Sequence, residues 1–132
     1  MYILDTCAFI WAAKNSPNLS PTVLEILKGD DDVFISQASF WEIAIKQTTG
    51  KLDLDMDIFA LEELCKAEDI KILPLELAYF ERIKKLPLIH RDPFDRIIIA
   101  TAIEEELTLL TSDSEIVKYE GVKTLWQLTK ED

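Results

Sequence analysis

Short apolar runs alternate with longer helical stretches over all 132 residues of this chain, and that alternation limits its fold more than any other feature. Residues 2–4, 33–35, 70–75, 107–110 and 122–125 read as strands. Pro74 demotes the third toward a sheet edge or an early end, because proline cannot donate to a ladder. Helices are expected over 6–14, from Ser20-Pro21 to Gly29, over 36–49 closed by Gly50, over 57–67, over 76–86 and from Asp92 onward, with a short helix before the last strand. Strands joined through helices pair in parallel, and a parallel sheet needs cover on both faces. The expectation is therefore an α/β domain with a central parallel sheet flanked by helices on both faces, in one domain spanning 1–132.

Composition narrows the class. A hydrophobic content of 48% excludes disorder as the main state. No apolar run approaches the length needed to cross a bilayer, and the start, Met1-Tyr2-Ile3-Leu4-Asp5, reaches an acid without the basic region of a signal peptide. A soluble cytoplasmic protein follows. Cys7 and Cys65 lie far apart, with no metal-binding spacing, and are read as reduced, packed thiols. The formal net charge of −11 is an awkward sign for a protein that would capture nucleic acid by long-range attraction.

The stretch His90 to Ala102 carries the strongest local signals. Asp92 followed by Pro93 reads as an N-cap and first helical residue. Asp95 then falls in the first turn, where the helix dipole favours a carboxylate, and opens a stripe continued by Ile99 and Ala102. Taken alone it could be a capping acid. Three more acids stand in suggestive places. Asp5 and Asp113 each lie just past the carboxyl end of a strand, where open α/β sheets bind ligands, although each could also cap the helix that follows. Glu42 sits in an apolar helical segment between Trp41 and Ile43, and could pair with Lys46 one turn on. One shared cause is more economical than four separate ones. Carboxylates converging at one end of a sheet repel, and divalent cations relieve that repulsion.

With His90 the only histidine, no two-histidine zinc helix can be built, and neither cysteine has a histidine partner near it in sequence. An all-oxygen cluster selects hard ions, Mg²⁺ or Mn²⁺, which activate water and stabilise charge on a phosphodiester. Arg82, Lys84, Lys85, Arg91 and Arg96 form a basic stretch, readable as a mixed-charge face or as phosphate contacts beside the acids, with Arg91 and Arg96 the substrate-binding candidates. Asp53-Leu54-Asp55-Met56-Asp57 starts like a calcium loop but lacks its glycine and closing glutamate. Cys7 could be a reactive thiol, yet the neighbouring acid opposes its ionisation and burial as a small hydrophobe is preferred.

Leu4-Asp5-Thr6, Ser39 to Lys46, His90 to Ala102 and Leu110-Thr111-Ser112-Asp113 together resemble PIN-domain ribonucleases, above all the VapC toxins of bacterial type II toxin–antitoxin systems. The resemblance spans nearly the whole chain, and the order and spacing of the four motifs make it specific. It implies a PIN fold with a sheet of about five strands, and an Mg²⁺-dependent endoribonuclease held in check by a VapB-type antitoxin. It also implies that Asp5, Glu42, Asp95 and Asp113 are the catalytic, metal-binding acids, Asp5 and Asp95 foremost. Thr6, Ser112 and Lys46 would support them, and Asp92 would remain a cap. A homodimer is expected.

The alternatives are a nuclease acting on DNA or in RNA processing, and a non-enzymatic PIN-like or receiver-like interaction module. A receiver would want adjacent acids after its first strand, and this chain has Asp5 alone. Finally, Trp11, Phe40, Trp41, Phe59, Tyr79 and Phe80 are more aromatics than the core stripes need. That points to a partner surface on which an antitoxin would pack an apolar helix against the first helices and reach a basic side chain toward Asp5 and Asp95.

Overall fold

The computed structural model describes residues 1–127. In chain order the elements are β1 (Tyr2–Leu4), α1 (Thr6–Ala13), α2 (Pro21–Lys28), β2 (Val33–Ser36), α3 (Gln37–Thr48), α4 (Ile58–Ala67), β3 (Ile70–Leu73), α5 (Leu77–Lys85), α6 (Pro93–Glu104), β4 (Thr108–Leu110), a 3₁₀ turn (Ile116–Lys118) and β5 (Lys123–Leu125). Side chains set most helix starts. Asp5, Ser20, Ser36, Asp57 and Asp92 each accept a backbone N–H from the first turn of the helix they precede, and Pro21 and Pro93 occupy opening positions that need no donor. Beyond the end of α3, Gly50 takes the left-handed φ of +75° that a side chain would resist.

All five strands pair in parallel in one sheet, in the order β3–β2–β1–β4–β5. Leu4 lies opposite Ile35 on one side and Leu110 on the other, so β1 is central. As expected from Pro74 within residues 70–75, β3 ends early, at Leu73, and lies at an edge. Alternation along the strands splits the core in two. Leu4, Ile35 and Leu110 pack with Phe9, Val23, Ile43 and Leu61, whereas Ile3 and Leu109 pack with Ile98, Ile99, Ala102, Ile116 and Tyr119. A third cluster, Ala38, Tyr79, Ile97 and Ala100, joins α3, α5 and α6. Helices therefore cover both faces.

The chain steps outward from β1 to β2 to β3, then returns through α5 and α6 to lay β4 against the other side of β1. The direction of strand order reverses between β1 and β4, and the crevice outside their carboxyl ends is the place where such sheets bind ligands. This order also differs from the 2-1-3-4-5 order of receiver-like folds, which removes that alternative.

The aromatics divide. Tyr79 is buried, Phe40 packs edge-on to Phe9, and Trp11 packs on Trp126 with ring centroids 5.6 Å apart. Trp41, Phe59 and Phe80 are exposed. Half of the expected surface set is thus core or half-buried, because packing partners far along the chain supply cover that helix periodicity does not reveal. Among the described residues no helix is long and apolar enough to cross a membrane.

Candidate active site

At the reversal point a cavity of about 340 Å³ opens, and Asp5, Glu42, Asp92, Asp95 and Asp113 all line it. Thr6, Ser112 and Lys46 line it as well. The acids arrive from separate elements: Asp5 from the end of β1, Glu42 from the second turn of α3, Asp95 from the first turn of α6, and Asp113 from the loop after β4. Several of the simpler readings hold alongside convergence. Asp5 Oδ1 caps α1 by accepting the Ala8 N–H at 2.7 Å, and Asp113 Oδ1 accepts the Glu115 N–H at 2.8 Å. Glu42 Oε2 accepts from Lys46 Nζ at 2.7 Å. Asp92, expected only as a cap, both accepts the Phe94 N–H and faces the cavity.

The electrostatics are strained. Asp5 is only 4% exposed, and burial pushes its carboxyl from 3.8 up to about 6, helped by the charges of Asp113 and Glu42 and opposed by hydrogen bonds from Thr111 and Ala8. Burial likewise pushes Asp95 up to about 7, with Asp92, Glu42 and Asp5 adding to the shift and His90 opposing it. Burial alone would lower the Lys46 ammonium, but its bond to Glu42 and the charges of Glu42, Asp92 and Asp95 hold it above its usual value. One ammonium cannot balance such a cluster. Glu42 Oε1, moreover, is buried with no hydrogen-bond partner among the described residues, a costly state for a carboxylate oxygen unless something else satisfies it. Oxygen-rich, over-charged and holding one orphaned acceptor, the cavity fits a hard divalent cation.

Around the acids, the Thr6 and Ser39 hydroxyls share a buried hydrogen bond of 2.8 Å that ties the start of α1 to α3. Cys65 is buried as expected, but Cys7 is exposed, contrary to the packed thiol anticipated for it. It follows the buried Thr6 on the outer side of the first turn of α1, at the cavity wall. Partial burial, with Asp5 beside it, pushes the thiol up to about 11, so it remains protonated and unreactive.

Two basic residues were expected at the substrate. Arg91 is exposed and lies outside the cavity lining. Arg96 is turned away: its guanidinium donates to the Pro87 carbonyl at 3.0 Å, the Ile83 carbonyl at 3.1 Å and the Tyr119 hydroxyl at 3.2 Å. In this arrangement the guanidinium braces the loop between α5 and α6 against the last turn of α5.

His90 was missed as a site residue. Its Nε2 hydrogen-bonds Asp113 Oδ2 at 3.1 Å and lies 3.0 Å from Asp95 Oδ2. The only local hint was its place two residues ahead of an N-cap; the approach of Asp113 is a tertiary matter. His90, Asp95 and Asp113 each offer an atom within 4.8 Å of the others.

A parallel α/β sheet with carboxylates gathered from four elements at its topological switch point defines an acidic-site domain suited to metal-assisted chemistry. The chain belongs to the PIN domain family, whose model matches residues 2–122. Comparison with curated proteins found no match. Among solved structures, the fold is similar to a chain of VapBC2 from Rickettsia felis bound to a promoter DNA fragment, with TM-score 0.71, 18% identity and coverage of 94% of this chain and 96% of that one. It is similar also to FitAcB from Neisseria gonorrhoeae, with TM-score 0.65, 21% identity and coverage of 97% and 100%. VapBC-1 from nontypeable Haemophilus influenzae is a further likeness, with TM-score 0.64, 20% identity and coverage of 94% and 96%. At these identities the likeness is one of fold.

Proposed function

We propose that the protein is a metal-dependent endoribonuclease, using Mg²⁺ with Mn²⁺ as a substitute, and that it acts as the toxin of a toxin–antitoxin pair. The observation that carries this reading is the convergence of Asp5, Glu42, Asp95 and Asp113 on one cavity in which Glu42 Oε1 has no hydrogen-bond partner among the described residues. PIN domains are generally nucleases, which supports the reaction class. Asp5, Glu42, Asp95 and Asp113 would hold the cation, with Asp5 fixed in place by its Ala8 cap and Glu42 partly neutralised by Lys46. A bound divalent ion would supply Lewis-acid activation of water and stabilise charge building on the phosphodiester. Thr6, through Ser39, keeps Asp5 and Glu42 in register, so the acids are set before substrate arrives.

The partner reading has its own support. A groove of about 610 Å³ between α1, α2 and α4 is lined by Phe9, Ala13, Leu19, Leu24, Leu27 and Leu64, a suitable seat for an apolar segment of an antitoxin. Leu77 and Phe80, neighbours on one side of α5, are exposed apolar side chains that a second copy would cover in a homodimer. The nuclease is tested by incubating the purified, partner-free chain with RNA and, separately, single-stranded DNA, in Mg²⁺ and in chelator. Cleavage of RNA that needs Mg²⁺ is expected. Cleavage of DNA alone would move the substrate, and no metal-dependent cleavage of either would remove the proposal.

A further inference from the structure

We infer that His90 is a positioning residue of this site, which sets the Asp95 and Asp113 carboxylates from its Nε2–H and does not itself ligate the cation. The inference rests on reading the cavity as a cation-binding nuclease site. Three groups with ligating atoms within 4.8 Å of one another, His90, Asp95 and Asp113, would at first sight make a metal triad. The hydrogen bonds argue otherwise. His90 Nδ1 accepts the backbone N–H of Asp92 at 3.1 Å, so that nitrogen presents its lone pair and carries no proton. The nitrogen left to donate is Nε2, which bonds Asp113 Oδ2 and touches Asp95 Oδ2. To coordinate a metal, Nε2 would have to give up that proton while Nδ1 keeps its bond from Asp92, and Nδ1 itself is occupied.

What the ring does instead is gather two acids that approach from different elements. Asp95 belongs to α6 and Asp113 to the loop after β4, and among the described residues His90 is the one group bonded to Asp113 that also contacts Asp95. Asp113 is held at both oxygens, by His90 at Oδ2 and by the Glu115 N–H at Oδ1. Among the described residues no hydrogen bond to Asp95 Oδ1 accompanies the His90 contact at Oδ2, and Asp95 lines the same cavity as Glu42. Hydrogen bonds to carboxylate ligands commonly orient them in this way, and losing such a partner typically weakens metal affinity about 10- to 100-fold.

The loop that carries His90 is fixed accordingly. The His90 backbone N–H donates to the Tyr119 hydroxyl at 2.7 Å, and Arg96 donates to the same hydroxyl at 3.2 Å while holding the Pro87 and Ile83 carbonyls. The arginine beside the acids thus serves the site by holding the histidine loop. The side chain of His90 is only 18% exposed, so the ring has little freedom to turn away.

The test is Mg²⁺ and Mn²⁺ affinity, measured by titration calorimetry on the full chain without RNA, for wild type, His90→Gln and His90→Leu. Because no RNA is present, the result is independent of whether RNA is the substrate. His90→Leu should bind each cation about 10- to 100-fold more weakly. Glutamine, whose amide N–H groups can reach the same carboxylates, should restore affinity to within a few-fold of wild type. Wild-type affinity in His90→Leu would overturn the inference, and so would a glutamine variant as weak as the leucine one, which would make the imidazole itself a ligand. Nitrogen NMR of the wild-type ring supplies a reading that needs no variant to fold. Nε2 should remain the protonated nitrogen at saturating Mg²⁺, and its appearance as the unprotonated one would equally overturn the inference.

Discussion

Replacing Asp5 by Asn separates the cost of the acidic site from its use. The change keeps shape and removes charge. Asn Oδ1 can still accept the Ala8 N–H that Asp5 accepts at 2.7 Å, and the Thr111 hydroxyl, which now donates to the carboxylate, can rotate to accept from the amide. What disappears is a buried negative charge facing Asp113 and Glu42. In the folded state the Asp5 carboxyl sits at about 6 against 3.8 for an ordinary aspartate. The folded protein therefore holds that proton more tightly than the unfolded chain does. Its contribution to stability is complete below about pH 4 and is lost as pH rises through about 6. Two units at about 1.4 kcal/mol each make the loss roughly 3 kcal/mol above pH 7.

Asn never ionises, so it escapes this loss. In chelator the variant should match wild type near pH 4 and exceed it by roughly 2–3 kcal/mol at pH 8, a rise in melting temperature of about 8 °C for a chain of this size. Added Mg²⁺ should raise the wild-type melting temperature at pH 8 more than that of the variant. RNA cleavage by the variant should fall to background. Paired thermal melts at both pH values and nuclease assays on the same preparations decide the matter. An Asn variant no more stable than wild type at pH 8, or one that cleaves normally, would refute the argument.

Further outcomes follow from the same geometry. Glu42→Gln should lose cleavage while Lys46→Met loses less, because the lysine neutralises Glu42 Oε2 but leaves Oε1 to the cation; equal, non-additive losses in the double variant would show that the pair itself is what matters. Arg96→Lys should lower stability by about 1–3 kcal/mol in denaturant titrations, since one ammonium cannot serve the Ile83 and Pro87 carbonyls and the Tyr119 hydroxyl together, while the salt dependence of RNA binding stays unchanged. Co-expression with the neighbouring gene of its operon should yield a tight complex without nuclease activity. Bulky substitution of Leu24 in the α1–α2 groove should weaken that complex without harming cleavage by the free chain.

Much of the architecture was legible because its determinants are local. An N-cap needs only a side chain and an N–H a few residues on, so Asp5, Ser20, Ser36, Asp57 and Asp92 mark helix starts in the bare sequence. Strand length and edge character likewise follow from apolar runs and Pro74. The acids could be singled out because a carboxylate at a strand end or in an apolar helix is conspicuous by itself. The sequence thus determined the elements, the parallel sheet and the acids available to one of its ends. Strand order, which brings β4 beside β1 and so carries Asp113 to Asp5, came from tertiary packing. So did the fate of several side chains. Arg96 is spent on carbonyls of a loop, Trp11 is half-covered by Trp126 from the far end of the chain, and Cys7 is left exposed at the cavity wall. His90 meets Asp113 across a separation of 23 residues. The physical reason is range. Capping and periodicity act within a turn or two, whereas a hydrogen bond between distant segments exists only once burial of the two sheet faces has chosen which elements lie side by side.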